Sequence, residues 1–428
     1  MQNKSAIRTL FFANSISGIA QGISMIAIPW YILSTLGLRS FFGMGFAFVT
    51  FISLFWSVWA GTIIDKYDRK VIFQMLNFIS GLIVLSCAIL AYLMPDYVSY
   101  IAMFVFSYTI LVYNIHYPCL YAFAQEICER TDYQRITSYI EIQGQMATFT
   151  AGALATILLV GGNVINILGL QITLPFSITA FPIWTIFGMD ALTYIIAAVV
   201  IRSIRYIRIV ERQRESGNIM QQLRSAWDYL STKKLILYFG LSSAAVFLSV
   251  VIASNQIHPT YVKDILLQGA DVYSSSEMYF ALGAASAGII IRQMTKYLHP
   301  MLIIVMLSVF GLLVYLGYIF IHIIWVYYFL SFTLGLFNAG IRIMRFTIFF
   351  NIIDNLYFGR VSSFINIIFI IIRVLMISLF ALPFFNKSTL YSFTFLMGYI
   401  FISAIFTLLY AAPVKKMYHL SSNDSSYL

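Results

Sequence analysis

Glu141 lies six residues beyond Arg135 in a run otherwise suited to hydrocarbon, RITSYIEIQGQMATFTAGALATILLV. An ionisable group is expensive to hold in such a run, so each one is a candidate for proton transfer, ion pairing or ligand binding. At the helical rise per residue, Glu141 sits about 9 Å past Arg135. Arg342 and Arg345, in another apolar run, fall at comparable depth in the other half of the chain. A carboxylate facing a guanidinium there would form a pair that protonation of the acid breaks, coupling a proton to a conformational change. The same groups could instead form a static pair or snorkel to the surface. Arg373 is deeper, about 20 Å past Arg360 along a helix, and would meet an anionic ligand or reach the outer headgroups. Asp190 lies about 18 Å before Arg202 and reads as structural. His116 either titrates near neutral pH or is simply hydrogen-bonded between helices.

A second set of polar side chains carries no charge. Asn14, Gly18 and Gln21 are four and seven apart and share one helical face. Gly18 and Gly22 would let a neighbouring helix approach closely. Asn114, Asn255, Gln256 and Asn338 stand in other apolar runs, accompanied by the aromatics Trp30, Tyr113 and Phe337. Together they describe a mostly apolar pocket with few hydrogen-bonding points, suited to a small amphipathic molecule. Other chemistry is not encoded. Cys87, Cys119 and Cys128 have neither paired nor metal-ligand spacing. There is no phosphate-cradling loop and no zinc-protease helix motif. The expected protein is not an enzyme, holds no metal and uses no cofactor beyond a proton gradient as its energy source.

The elements that must position these residues are membrane helices. The 428 residues are 61% hydrophobic and 10% charged, whereas a soluble domain is about a quarter charged. The excess comes in blocks long enough to span a bilayer, and backbone in hydrocarbon must satisfy its own hydrogen bonds as helix. Twelve such blocks run over 7–35, 41–63, 71–93, 98–125, 136–160, 181–203, 235–258, 275–294, 300–321, 323–350, 361–383 and 389–412. Lys and Arg concentrate on alternate connections, the first carrying only Arg39: Lys66, Arg69 and Lys70; Arg130 and Arg135; eight residues from Arg202 to Lys234; Arg292 and Lys296; Arg360; Lys415 and Lys416. This positive-inside pattern places both termini in the cytoplasm of a bacterial inner membrane, with no cleavable signal. It also accounts for the net charge of +10 without nucleic acid. The connection 161–180 has no charge at all. NIMQQLRSAWDYLSTKK, in the most basic connection, has Ile219, Leu223, Ala226, Trp227 and Leu230 at helical spacing. It reads as an amphipathic helix, either on the inner leaflet or as a solvated linker.

The chain repeats internally. RITSYIEI from Arg135 and RVSSFINI from Arg360 share four of eight positions, at an offset of 360 − 135 = 225. Gly61, Asp65 and Arg69 have counterparts in Gly288, Arg292 and Lys296, at an offset of 288 − 61 = 227. The expected fold is therefore an all-α membrane protein whose twelve transmembrane helices form two six-helix pseudo-repeats. The expected boundaries are an N-terminal bundle over 1–204, a basic linker over 205–234, a C-terminal bundle over 235–412 and a cytoplasmic tail over 413–428. A monomer is expected.

The stretch GTIIDKYDRK packs five charged side chains into six positions. Gly61, Asp65, Lys66, Arg69 and Lys70 match the motif that major facilitator superfamily transporters carry between their second and third helices. Asp68 stands where most members have Gly. This form resembles the macrolide-efflux and siderophore-exporter branch (drug:H+ antiporter type 3), as do PCLYAFAQE, GMDALTYIIAA and FGRVSSF, and the resemblance spans the whole chain. It implies a central cavity lined by helices one, four, seven and ten. It also implies proton-coupled export of a drug, siderophore or lipid-like metabolite by alternating access. It further implies a latch, with Asp65 against the N-terminus of helix eleven near Val361 and Arg69 paired with Glu126, Glu129 or Asp132. Against this stands a plain topology signal, in which the charges only hold the connection in the cytoplasm. Two features depart from the drug antiporters: Gly152 is followed by no Pro, and no Arg precedes Arg130 in helix four. Import of a nutrient or siderophore-derived compound, and a non-transporting membrane sensor, remain as alternatives.

Overall fold

The computed structural model describes residues 3–129, 132–207 and 219–423. Of the basic residues named above, Arg130, Arg208, Arg212 and Arg214 lie outside the described residues. The chain divides into two compact units, Met1–Glu215 with Gln268–Met278, and Ser216–Leu267 with Tyr279–Leu428.

The first unit opens with α1 (Lys4–Pro29), which passes into a π-helical segment, Trp30–Thr35. Then come α2 (Arg39–Lys66), α3 (Arg69–Leu93), α4 (Val98–Ile127) and α5 (Tyr133–Val160). A hairpin of β1 (Gly162–Ile167) and β2 (Leu170–Ile178) leads to α6 (Ile183–Arg202). Asp68 starts α3: its carboxylate accepts the backbone N–H groups of Lys70 and Val71 at 3.0 and 3.2 Å, satisfying donors that a helix start leaves unpaired. The core brings Leu10 and Ala13 of α1, Phe73 of α3, Cys119 and Phe123 of α4 and Ile201 of α6 into one buried cluster. α1 lies close against α5 because Gly22 has no side chain. A Cβ there would come within 2.7 Å of the Ala151 Cβ, well inside contact distance.

The uncharged connection 161–180 is the main departure from an all-helical chain. Val164 pairs with Thr173 and Ile167 with Leu170 in antiparallel register. The turn falls at Leu168 and Gly169, with φ of 56° and 79°. Two positive φ values suit a hairpin turn, but Leu-Gly lacks the Asn or Asp that usually signals one.

The second unit begins with α7 (Ile219–Thr232). The seventh apolar block is not one helix but α8 (Lys234–Ser242), α9 (Ala245–Ile252), a π-helical segment Ala253–Ile257, and α10 (His258–Asp264). α11 (Ala270–Met294) begins five residues before the expected 275, and its first nine residues group with the first unit. α12 (Pro300–Phe320), α13 (Ile324–Ile352), α14 (Asn355–Phe380), the short α15 (Pro383–Asn386) and α16 (Thr389–Leu409) complete the bundle. The tail is helical as α17 (Ala411–Asn423). Here the core is aromatic: Tyr261, Tyr315, Tyr318, Tyr327 and Phe393 pack edge-to-face around His258.

Among the described residues, eleven helices are long and apolar enough to cross a membrane. The twelfth expected span is α11, which is long enough but carries Asp271, Glu277, Arg292 and the run Ser274–Ser276. Large apolar side chains such as Phe48, Trp59, Val199, Phe329 and Leu375 are exposed on helix after helix. A water-facing surface does not sustain such a belt; a lipid-facing one requires it.

The linker helix makes contacts that the sequence reading did not anticipate. α7 packs on the first turns of α14: Tyr229 stacks on Tyr357, Trp227 meets Phe364, Ser225 accepts from Arg360, and Lys233 pairs with Asp354 at 3.3 Å. Ala226 and Leu230 of its apolar face are buried, while Trp227 stays half exposed, so the helix docks on the bundle.

Candidate functional site

In the first unit, α1, α4 and α5 bring three polar side chains into one chain of hydrogen bonds. His116 Nε2 lies 2.8 Å from Asn14 Oδ1. The acceptor identifies Nε2 as the protonated nitrogen, an assignment from the network. Asn14 Nδ2 donates to Gln143 Oε1 at 3.1 Å. Gln143 Nε2 in turn donates to the Phe11 carbonyl and, at 2.6 Å, to Ser15 Oγ. Asn14 and His116 are buried, and Phe73 and Tyr117 flank the imidazole at 4.8 and 5.4 Å. Tyr121 of α4 donates to Glu141 of α5 at 2.7 Å. Sequence reasoning singled out Asn14, His116 and Glu141 but missed Gln143 and Tyr121. Gln143 lies two residues beyond Glu141 within the run already examined, so its amide was visible there.

The remaining candidates of this unit are separate. Gln21 is buried, and its Nε2 has no partner among the described residues. Trp30, first residue of the π segment, stacks on Tyr273 at 5.9 Å. Asn114 bonds back to the Ile110 carbonyl of its own helix at 3.3 Å.

The charge-rich stretch acts as a clamp within the unit. Arg69 donates to the Ala122 carbonyl at 2.8 Å and pairs with Glu126 at 3.5 Å. Of the three acids that Arg69 could have met, the fully buried Glu126 is the partner. Lys70 donates to the carbonyls of Arg202 and Ile204 at 3.0 and 2.7 Å, closing the C-terminal end of α6. One short segment thus ties together the ends of α3, α4 and α6. Gly61 and Lys66 are exposed, and Lys66 lies 5.5 Å over the Tyr67 ring. The side chain of Asp65 lies outside the described residues. Its expected target is displaced: α14 starts at Asn355, six residues before Val361, with Asp354 at the N-cap position. The sequence estimate missed this because Asn355–Arg360 is polar and aromatic, not plainly apolar.

In the second unit Asn255 and Gln256 fall inside the π segment. Asn255 donates to the Val251 carbonyl at 2.9 Å, and Gln256 to the Ile377 carbonyl at 3.5 Å. Gln256 Oε1 and Asn338 Oδ1 have no partner among the described residues. Arg345 is buried with its guanidinium 5.5 Å over the Phe369 ring, and its Nη1 has no hydrogen-bond partner among the described residues. Arg373 is half-buried, its Nε likewise without a hydrogen-bond partner there, and Arg342 is half-buried on the same helix as Arg345. The two π segments begin at Trp30 and Ala253, an offset of 253 − 30 = 223 that agrees with the sequence repeat. A π turn widens the helix and leaves backbone groups differently directed, and it often marks a functional position.

The sequence matches the family model described as Major Facilitator Superfamily over residues 10–376. This chain belongs to the major facilitator superfamily. Among solved structures, the facilitator is similar to a bacterial homologue of the iron transporter ferroportin in the inward-facing state. The TM-score is 0.69 at 10% identity, covering 95% of this chain and 98% of that one. It is also similar to a bacterial homologue of the human lysosomal transporter Spinster, with TM-score 0.65, 12% identity and coverage of 99% and 97%. A third is the nucleoside transporter NupG, with TM-score 0.65, 10% identity and coverage of 96% and 99%. At such identity these likenesses establish the fold. No curated protein matches the chain by sequence. The facilitator is a multi-pass membrane protein and a secondary transporter of its superfamily.

Proposed function

We propose that this transporter exports an amphipathic small molecule from the cytoplasm of a bacterium, driven by the proton gradient, with both termini in the cytoplasm. The observation that carries the reading is the strip Asn14–His116–Gln143. It is a short hydrogen-bonded polar line among apolar and aromatic neighbours. Such a surface recognises a ligand with a large hydrophobic body and one or two polar groups. The resemblance of GTIIDKYDRK, PCLYAFAQE and FGRVSSF to the efflux branch supports the outward direction. The opposite direction is import, and the two separate in one measurement. Ethidium, a fluorescent amphipathic cation, is loaded into cells lacking or overproducing the protein, with and without an uncoupler. Overproduction should lower the retained dye, the uncoupler should abolish the difference, and Asn14→Leu should weaken it at least tenfold. Dye retention that rises on overproduction would replace export with uptake. A dye that binds the purified protein but is never moved would make it a sensor.

A further inference from the structure

One buried carboxyl group has no role so far. Asp190 sits midway along α6 and is 1% exposed. The Ser24 hydroxyl of α1 donates to Oδ2 at 2.7 Å, and Oδ1 has no hydrogen-bond partner among the described residues. The polar side chains near it carry hydroxyl groups. α1 contributes Ser24. α4 contributes Tyr113, with Tyr117 beside it. One turn along α6 is Tyr194, itself near Tyr108. Among the described residues no Lys, Arg or His pairs with the carboxyl. One turn before Ser24, on the same face of α1, the buried Gln21 also has an unmatched polar atom, Nε2.

An ionised carboxylate at this place would face hydrocarbon-like surroundings with one hydroxyl for company, which is the arrangement that buried acids avoid by holding a proton. In the neutral acid the Ser24 hydroxyl bonds the carbonyl oxygen, and Oδ1 carries a proton with no protein acceptor. A water molecule at Oδ1 would take that proton: the O–H bond breaks, the electron pair stays on the carboxylate, and hydronium leaves. Gln21 offers such a water a second polar contact.

We propose that Asp190 is a proton-binding site, neutral in the conformation described here and able to exchange its proton with water. The coupling role rests on the proton-driven reading above and moves it from Glu141 to Asp190. The protonation itself does not rest on that reading.

The test is infrared spectroscopy of the purified protein in lipid vesicles, titrated from neutral to alkaline pH. A protonated-carboxyl C=O band should be present at neutral pH and absent in Asp190→Asn. It should shift in frequency in Ser24→Ala, where one hydrogen bond is lost, and should disappear reversibly as pH rises. Should Asp190→Asn fail to fold, the Ser24→Ala shift and the frequency change in Asp190→Glu report the same group. Identical carboxyl spectra for wild type and variants at neutral pH would overturn the proposal, since the acid would then be ionised. A band that never titrates and does not shift in heavy water would also overturn it, leaving a sealed structural acid. Ethidium efflux in the same variants is a separate readout. If wild type moves no dye, the export reading fails while the band still decides Asp190. If wild type is uncoupler-sensitive and Asp190→Asn equally so, the coupling role of Asp190 is excluded.

Discussion

At the scale of single residues, the notable feature is how few charged groups the described residues bury: Glu126, Asp190 and Arg345. The Arg69–Glu126 pair is the clearest case. Glu126 is fully buried and Arg69 is one-fifth exposed, so removing the carboxylate strands a guanidinium that also anchors the Ala122 carbonyl. Glu126→Gln should therefore cost about 1–3 kcal/mol, the usual penalty for a desolvated charge losing its partner. That is a fall of several degrees in thermal unfolding of the detergent-solubilised protein. An unchanged transition would mean that the clamp carries no stability. His299 gives a pH dependence. Its Nδ1 accepts the Met301 N–H at 3.1 Å at the start of α12, and its ring meets Tyr418 and His419 of α17. Burial, then the nearby His419 and Lys415, hold its pKa below the ordinary histidine value. A depressed value in the folded state means that its contribution is complete above the ordinary histidine pKa and lost as pH falls through the folded value. Protonation removes the cap and adds a cation to the positive end of a helix. Acidification should thus lower the unfolding temperature. His299→Asn, which caps without titrating, should flatten that dependence; an equally steep one in the variant would assign it elsewhere.

At the scale of elements, close approach of helices depends on glycine at a few points. In the second unit α11 and α13 meet through a reciprocal pair. A Cβ on Gly283 would overlap the Phe332 carbonyl, and one on Gly335 the Phe280 carbonyl. Backbone cannot yield as a flexible side chain does. Gly283→Ala or Gly335→Ala should force these helices apart and cost about 1–3 kcal/mol. Gly398→Ala, where nothing lies within 4 Å, should be neutral or slightly stabilising. Thermal unfolding of the three variants side by side is the measurement, and equal transitions would deny the contact. α7 belongs to the same scale. Its basic, amphipathic pattern fits a membrane surface as well as a protein one. Only the positions of Tyr357, Phe364 and Asp354 determine that it docks on α14.

At the scale of the whole molecule, the charge pattern predicts a topology that labelling checks. The native cysteines Cys87, Cys119 and Cys128 are buried and form no disulfide among the described residues, so introduced ones report cleanly. With a membrane-impermeant maleimide on intact cells, a cysteine at Gln171 in β2 should react from outside. One at Arg205 should react only after permeabilisation. Labelling of both from the same side would break the alternation of Lys and Arg on which the orientation rests. The fold itself was legible: block lengths, the alternating basic connections and the offset of 225 between RITSYIEI and RVSSFINI are properties of composition and order. The candidate site was legible only in part. Asn14 and His116 stood out because a polar residue in an apolar block is costly wherever it points, but nothing in their spacing said that they bond to each other.

The sequence alone determined that this chain must be largely helical in a bilayer and where its apolar blocks fall, and its alternating basic connections predict an orientation. Hydrocarbon imposes one rule on every residue of a span, and that rule is read locally. Tertiary structure decided which polar groups meet. It chose Glu126 among three acids for Arg69, joined Asn14 to His116 and Gln143, placed Ser24 against Asp190, and folded an uncharged connection into a hairpin. Each of these depends on the rotation and spacing of neighbouring helices. Those are set by packing between residues far apart in sequence, and no local pattern records them.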